Sequence, residues 1–254
     1  MSIKKDDNLF PFWIHKILKG ICYWIAYKRI LYTHYKENIQ IPELAIQTEI
    51  WSILSYFRTG DNFSLSIIPE KPYKEILKEN TKLSEEEIED IFEKDGPNAD
   101  IAIVTNLKDK KSKLSHVIEI KKYEGNNKKD NYSLIKNELD DLRKLKKATK
   151  NKINYYLIIF SQDVFPKRFL LGKEIVSKRL VSKKNKNNQN EFKAPIKKVS
   201  MKEIEESFGK LEAFDYFFVN KNRSIKSSKK IINKGKEEII EEKTGIISGI
   251  VLKV

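Results

Sequence analysis

The sequence predicts an α/β protein in which helices flank a mixed central sheet. Segments with helical and strand-like apolar patterns alternate between residues 42 and 160, as this fold class requires. Residues 153–160 form a continuous apolar run, which is typical of a strand covered on both faces. The chain has 254 residues, 40% of them hydrophobic, so it can bury the core of one domain with extensions.

Residues 10–35 indicate a first helix with a large aromatic face. Charged side chains interrupt it, whereas a membrane-spanning helix needs about 20 nearly uninterrupted apolar residues, so we expect no membrane span. No small-residue cleavage site follows, so we expect no signal peptide and a cytoplasmic protein. Residues 1–40 are interpreted as a helical N-terminal extension that packs on the core or joins two copies in a homodimer. An interfacial membrane helix is the alternative.

A second helix is predicted to open at Pro42, because proline suits the first helical position, and to end at residue 57. Its apolar residues recur at three- and four-residue spacing: Ile46, Ile50, Ile53, Leu54 and Phe57. Residues 63–68 are predicted to form a strand. Ser84 and Glu87 make a capping-box pattern, which predicts the start of a short acidic helix.

Two further strands, a helix and the buried strand follow at residues 100–105, 116–121, 132–148 and 153–160. A polar, lysine-rich connection at residues 107–114 joins the two strands. The order helix, strand, strand, strand, helix, strand is typical of a mixed sheet with helices on its faces. Residues 214–219 and 245–254 are predicted to be late strands.

The net charge of +14 is concentrated in two segments of the C-terminal region, residues 166–254. Residues 167–198 hold eleven lysines and arginines against two glutamates, and residues 221–236 hold seven without an acid. Clustered positive charge indicates a polyanionic partner such as nucleic acid, because binding releases counterions from the phosphates. The alternative is a pair of solvated, lysine-rich loops.

Several classes of site are excluded or disfavoured by composition. A single cysteine, Cys22, excludes an internal disulfide and a cysteine-built zinc site. Three widely separated histidines make a histidine-rich metal site unexpected: His15, His34 and His116. Ser161 and Asp163 have no histidine nearby for a hydrolase triad, and no glycine-rich phosphate loop indicates an ATP-driven motor.

Two carboxylates and a lysine are predicted to meet at one end of the central strands. Alternate side chains of strand 116–121 face opposite ways, so Val117, Glu119 and Lys121 share one face while Ile118 and Ile120 face the other and can enter the core. A hairpin centred near Lys110 places Asp100 opposite residues 119–121. Neighbouring carboxylates repel unless a proton or a cation lies between them.

A hard divalent cation such as Mg²⁺ prefers oxygen ligands and can activate a water for in-line attack on a phosphodiester. A lysine beside the ion can orient that water or stabilise the developing negative charge. The three residues therefore predict metal-assisted hydrolysis of a nucleic-acid backbone.

Asp100, followed after eighteen residues by Glu119-Ile120-Lys121, resembles the motif of the PD-(D/E)xK nuclease superfamily, which includes restriction endonucleases. The resemblance implies a restriction-endonuclease-like core, placed at residues 41–165, with Mg²⁺ or Mn²⁺ between the acids. It implies that Asp100 and Glu119 bind the metal and that Lys121 is the catalytic lysine. Many members also carry a glutamate on the helix before the first core strand. Glu49 fits this position and is expected to complete the catalytic and metal site, with Glu43 as the alternative.

We therefore expect a Mg²⁺-dependent endonuclease that cleaves double-stranded DNA and acts as a homodimer, with the two basic segments gripping phosphates. A restriction–modification or defence role rests on family analogy. One alternative is a non-catalytic nucleic-acid-binding protein with a degenerate nuclease core. Another is a membrane-peripheral interaction protein that uses the N-terminal helix.

Overall fold

The structure is a computed structural model. It describes residues 10–34, 41–56, 59–60, 63–93, 96–107, 112–123, 130–162, 205–206, 208–220, 232–233, 236–237 and 246–254. The helices of this part are α1 (Phe12–His34), α2 (Glu43–Ser55), α3 (Tyr73–Asn80), α4 (Glu85–Ile91) and α5 (Asp130–Ala148). The strands are β1 (Thr59–Gly60), β2 (Phe63–Pro72), β3 (Asn98–Leu107), β4 (Lys113–Tyr123), β5 (Asn154–Gln162), β6 (Ala213–Asn220), β7 (Ile232–Asn233), β8 (Lys236–Glu237) and β9 (Ile246–Lys253).

The central sheet has the order β1-β2-β3-β4-β5-β9-β6, in which β1 contributes only two residues beside six long strands. Every neighbouring pair is antiparallel except β4 and β5, which are parallel. Helix α5 connects these two strands, because a parallel pair needs a crossover connection. The predicted α/β class with a mixed sheet and flanking helices is confirmed.

The two faces of the sheet bury separate hydrophobic clusters. One face carries Ala102, Val117 and Leu157 and packs against α3, α4 and α5. The other carries Ile101, Ile118 and other alternating residues and packs against α1 and α2. Residues 155–160 of the predicted strand 153–160 are buried on both sides, as its apolar pattern predicted, and Asn154 is partly exposed.

Helix α1 packs into the second of these clusters through aliphatic side chains that are fully buried: Ile14, Ile17, Ile21 and Ile25. Two glycines permit its close approach. A Cβ at Gly20 would lie 2.9 Å from Ile53 of α2, and one at Gly249 of β9 would lie 2.9 Å from Phe160 and 3.0 Å from Cys22. No helix in the described ranges is both long and apolar enough to cross a membrane.

Several boundaries differ from the sequence prediction. Pro42 has extended backbone angles and serves as the N-cap, so α2 begins at Glu43 and ends at Ser55. The capping box of Ser84 and Glu87 is confirmed. The first long strand extends beyond the predicted 63–68 to Pro72. The basic segment 167–198, and most of 221–236, lie outside the described residues.

Candidate active site

The candidate site lies where β3 and β4 stop pairing. Their ladder runs from the pair Thr105–Lys113 to the pair Ile101–Ile118, with a register shift between Ile103 and Val104. Beyond it, the Asp100 carboxylate bridges the strands, because its Oδ2 accepts a 2.6 Å hydrogen bond from the backbone N–H of Ile120. The predicted hairpin therefore brings Asp100 to the Glu119–Lys121 end of β4.

Asp100 is almost completely buried and held on both oxygens. Its Oδ1 accepts a 2.9 Å hydrogen bond from Nε2 of Gln47, a buried side chain of α2. Burial raises the pKa of Asp100 to about 6, although the Ile120 N–H and the positive charge of Lys121 act in the opposite direction. The geometry fixes the carboxyl group, while its surroundings weaken its acidity.

Glu119 lies even deeper, with 1% of its surface exposed. The Tyr73 hydroxyl, at the start of α3, donates a 2.5 Å hydrogen bond to its Oε1. Burial and then the negative charge of Asp100 raise the pKa of Glu119 well above its ordinary value. Burial and the charge of Glu119 also raise the pKa of Tyr73, so this hydroxyl keeps its proton.

Lys121 lies between carboxylates that come from both helical layers. Its Nζ is 3.2 Å from Oε1 of Glu138 on α5 and 3.8 Å from Oε1 of Glu43 on α2. Burial lowers the pKa of Lys121, but the negative charges of Glu138, Asp100 and Glu43 outweigh it and the pKa is raised. Lys121 is therefore a positively charged ammonium group at the tip of β4.

The first turn of α2 contributes the carboxylate of Glu43, which lies beside Lys121. Oε2 of Glu43 accepts a 2.8 Å hydrogen bond from the backbone N–H of Lys122, which ties α2 to β4. Gln47 lies one turn further on and faces Asp100, whereas Glu49 is rotated by about 200° from Gln47 around the helix. Within the described ranges, no hydrogen bond or ion pair joins Glu49 to Asp100, Glu119 or Lys121.

The structure therefore brings together Asp100, Glu119 and Lys121, and adds Glu43 rather than the favoured Glu49. The physical reason is the position of the helix start. Because α2 begins at Glu43 beside the end of β4, Glu43 and Gln47, one turn later, face the site, whereas Glu49 lies on another side of the helix. The position of Glu49 on the helix before the first core strand carries no information about this crossing.

The two predicted metal ligands take their hydrogen bonds from opposite layers of the molecule. Asp100 is bonded by α2, which covers one face of the sheet, and Glu119 is bonded by α3, which covers the other. Their charges still interact, since the negative charge of Asp100 raises the pKa of Glu119. The site thus spans the sheet at the end of the β3–β4 ladder.

Sequence reasoning missed Tyr73, Gln47 and Glu138, although two of them carried a signal. Gln47 shares the buried stripe of α2 with Ile50 and Leu54, and Glu138 borders the buried stripe of α5. A polar residue inside an apolar stripe is informative, because such residues are buried only when a partner satisfies them. Tyr73 follows Pro72 and gave no comparable signal.

Negative charge exceeds positive charge in this group. Asp100, Glu119, Glu43 and Glu138 surround one ammonium group, and the charge of Glu70 on β2 also acts on Asp100. In the described part of the chain, no three acidic, histidine or cysteine side chains are arranged to hold a metal ion by themselves. The donor set instead offers two carboxyl groups, those of Asp100 and Glu119, whose charges interact.

Two carboxyl groups fit Mg²⁺, which commonly binds through one or two carboxylates and keeps several of its waters. Each oxygen of Asp100 accepts one hydrogen bond, and a carboxylate oxygen has about two lone pairs, so both retain capacity for a cation.

Comparison with known proteins gives no relative: no protein-family model, no curated protein and no solved structure matches this chain. The arrangement of Asp100, Glu119 and Lys121 on the mixed sheet is therefore the basis for any functional assignment.

Proposed function

We propose that this chain is a Mg²⁺- or Mn²⁺-dependent endonuclease that hydrolyses phosphodiester bonds of DNA, with a restriction-endonuclease-like core. One observation carries the proposal. Two electrostatically coupled carboxyl groups from adjacent strands lie beside a charged lysine at the end of a mixed sheet. Groups whose pKa values are shifted by burial together with specific charges are concentrated at functional sites.

Asp100 and Glu119 would hold the metal ion, whose chemistry is to polarise the phosphate and increase the acidity of a bound water. Gln47 and Tyr73 fix these two carboxyl groups by hydrogen bonds, as the partners of metal ligands generally do. Their role is to hold the oxygens in one orientation when the negative charge is neutralised.

Lys121 has the character needed to act on the phosphate. Its ammonium group has three hydrogens, and among the described residues its ion pairs are with Glu138 and Glu43, which leaves one hydrogen for a phosphate oxygen or the attacking water. Because its pKa is raised, it stays protonated and stabilises negative charge that develops in the transition state. Glu43, at 3.8 Å, orients this group from α2.

The expected substrate is double-stranded DNA, gripped by the basic segments 167–198 and 221–236. Action as a homodimer, a cytoplasmic location and a restriction–modification or defence role extend the proposal by analogy with the superfamily.

A second candidate function is nucleic-acid binding without cleavage, on a degenerate nuclease core. Its supporting observation is the closed packing of the acids. Glu119 is 1% exposed, and both oxygens of Asp100 already accept hydrogen bonds from the protein. In this case the carboxyl groups would stay protonated or hydrogen-bonded and would serve stability alone.

Cleavage of supercoiled plasmid in Mg²⁺ distinguishes the two functions. We expect cleavage by the wild type, and a loss of at least a hundredfold in Asp100→Asn, Glu119→Gln and Lys121→Met, because each removes a group used in the reaction. Glu89→Gln, an exposed substitution on α4, is the matched control. Equal cleavage by all variants would refute the site. DNA binding without cleavage in Mg²⁺ or Mn²⁺ would favour the second function.

A further inference from the structure

The outward face of α1 carries a continuous line of aromatic and basic side chains. We name it the basic–aromatic stripe, and it consists of Phe12, Lys16, Lys19, Tyr23 and Tyr27. Successive spacings of four, three, four and four residues keep these side chains within an arc of about 80°. The stripe is about 22 Å long, at 1.5 Å per helical residue.

The three rings of the stripe are exposed to solvent. Phe12, Tyr23 and Tyr27 expose 61%, 59% and 58% of their surfaces, whereas the aliphatic residues on the opposite face of α1 are fully buried. A line of large exposed rings on a well-packed helix is typical of an interaction surface, because single exposed apolar residues are ordinary but aligned ones are not.

The charge of the stripe is purely positive. Lys16 and Lys19 are exposed, and α1 contains no aspartate or glutamate along its 23 residues. Asp215 of the neighbouring strand β6 lies beside the helix, but its carboxylate is 2.9 Å from Nδ1 of His15. The stripe therefore offers cations to a partner and lacks acids of its own.

Contacts with β6 hold part of the stripe in place. The ring of Tyr23 lies 5.7 Å from the ring of Phe217, and Nζ of Lys19 lies 5.9 Å from the centre of the same ring. Such preorganisation reduces the ordering cost of binding, since these side chains lose less freedom when a partner arrives.

We propose that the basic–aromatic stripe binds a single-stranded segment of nucleic acid, with bases stacked on the rings and phosphates paired with the lysines. Proteins that bind single strands combine these two features, because every base offers a face for stacking and every nucleotide a phosphate. Tyr23 and Tyr27 are one helical turn apart, about 6 Å, which suits neighbouring unpaired bases.

Two other occupants fit the stripe less well. A second copy of the chain in a two-fold dimer would bring Lys16 and Lys19 against the same lysines, with no acid on α1 to pair with them. A membrane surface takes up the aliphatic face of an amphipathic helix, but that face of α1 is buried in the protein core. The charge and the rings together favour a nucleic acid.

The proposed binding does not depend on the proposed nuclease activity. The stripe lies on α1, and its contacts with β6 are separate from the Asp100 group. We therefore expect the stripe to bind nucleic acid in EDTA. A chain without nuclease activity would still show this binding, and an active nuclease could lack it, so the two proposals can fail separately.

Fluorescence anisotropy with a labelled oligothymidylate of about 20 nucleotides in EDTA tests the proposal. We expect the double variant Tyr23→Ala/Tyr27→Ala to bind about tenfold more weakly or worse, while Tyr23→Phe/Tyr27→Phe keeps its affinity because stacking is retained. Lys16→Gln/Lys19→Gln should reduce the slope of log affinity against log salt by about 1.4, or about 0.7 per phosphate contact. The control is Tyr56→Ala/Lys152→Gln, which changes an exposed ring and lysine outside α1.

The proposal would be overturned if Tyr23→Ala/Tyr27→Ala bound the oligothymidylate with unchanged affinity, since the basic segments 167–198 and 221–236 would then account for the binding. It would also be overturned if the stripe variants abolish binding to phosphatidylcholine–phosphatidylserine vesicles, or convert a dimer to a monomer in sedimentation, while oligonucleotide binding stays intact.

Photo-crosslinking with bromodeoxyuridine gives a check that does not depend on folding of the variants. We expect wild-type crosslinks within residues 12–27, and crosslinks found solely elsewhere would refute the assignment.

Discussion

Replacing Asp100 by asparagine removes a buried charge and keeps a side chain of nearly the same shape. Burial raises the pKa of Asp100 from its ordinary 3.8 to about 6. A carboxyl whose pKa is raised by folding favours the folded state below its unfolded pKa, and this contribution is lost as pH rises through the folded pKa. The difference corresponds to about 3 kcal/mol, at about 1.4 kcal/mol per pKa unit.

We therefore expect the stability of Asp100→Asn relative to the wild type to increase by about 2 kcal/mol between pH 4 and pH 7 in EDTA, the part of this difference that falls within the range. Urea unfolding at a series of pH values measures this difference. The amide nitrogen of asparagine changes one hydrogen bond, which adds an offset that does not vary with pH. The pH dependence is therefore the diagnostic quantity.

The exposed α4 variant Asp90→Asn is the matched control for loss of one carboxylate. A relative stability of Asp100→Asn that changes by less than about 0.5 kcal/mol across this range would refute the reasoning, since that is the size of an ordinary surface effect. It would mean that Asp100 is ionised at little cost, and that no cation is needed to stabilise the group.

Two contacts of the candidate site and one close approach of α1 each predict the effect of a substitution. Glu43→Gln should slow single-turnover cleavage by about tenfold, more than Glu49→Gln does, because Glu43 lies beside Lys121 and Glu49 does not. The reverse order would restore Glu49 to the site. Tyr73→Phe should lower the free energy of unfolding by about 1–3 kcal/mol in urea, as Glu119 loses its donor, and an unchanged midpoint would count against this bond. Gly249→Ala should cost about 1–3 kcal/mol by overpacking, and no loss of stability would show that α1 can shift without cost.

The strand part of the site was predictable because it depends on local rules. Alternation fixed the shared face of Glu119 and Lys121, and the short connection after β3 brought Asp100 to the same end. The register shift after Ile103 moved the pairing by one residue, which simple counting about Lys110 did not include. Asp100 was expected opposite the three residues 119–121, so a shift of one residue in the register still leaves it opposite this segment.

The helix part of the site was less predictable because it depends on how elements cross. The choice between Glu43 and Glu49 follows from where α2 passes over β4, and the bond from Lys122 to Glu43 joins residues 79 apart in the chain. The packing of α1 likewise requires two close approaches, of Gly20 to Ile53 of α2 and of Gly249 of β9 to Cys22 of α1. No periodicity in either segment reports such a distant partner.

Calorimetric titration with Mg²⁺ tests most directly whether the carboxyl groups of Asp100 and Glu119 form one cation site. The proposed function predicts binding to the wild type that is lost in Asp100→Asn and in Glu119→Gln and kept in the α4 control Glu89→Gln. Lys121→Met should still bind Mg²⁺ but fail to cleave DNA. Equal Mg²⁺ binding by the wild type and both carboxyl variants would contradict the account.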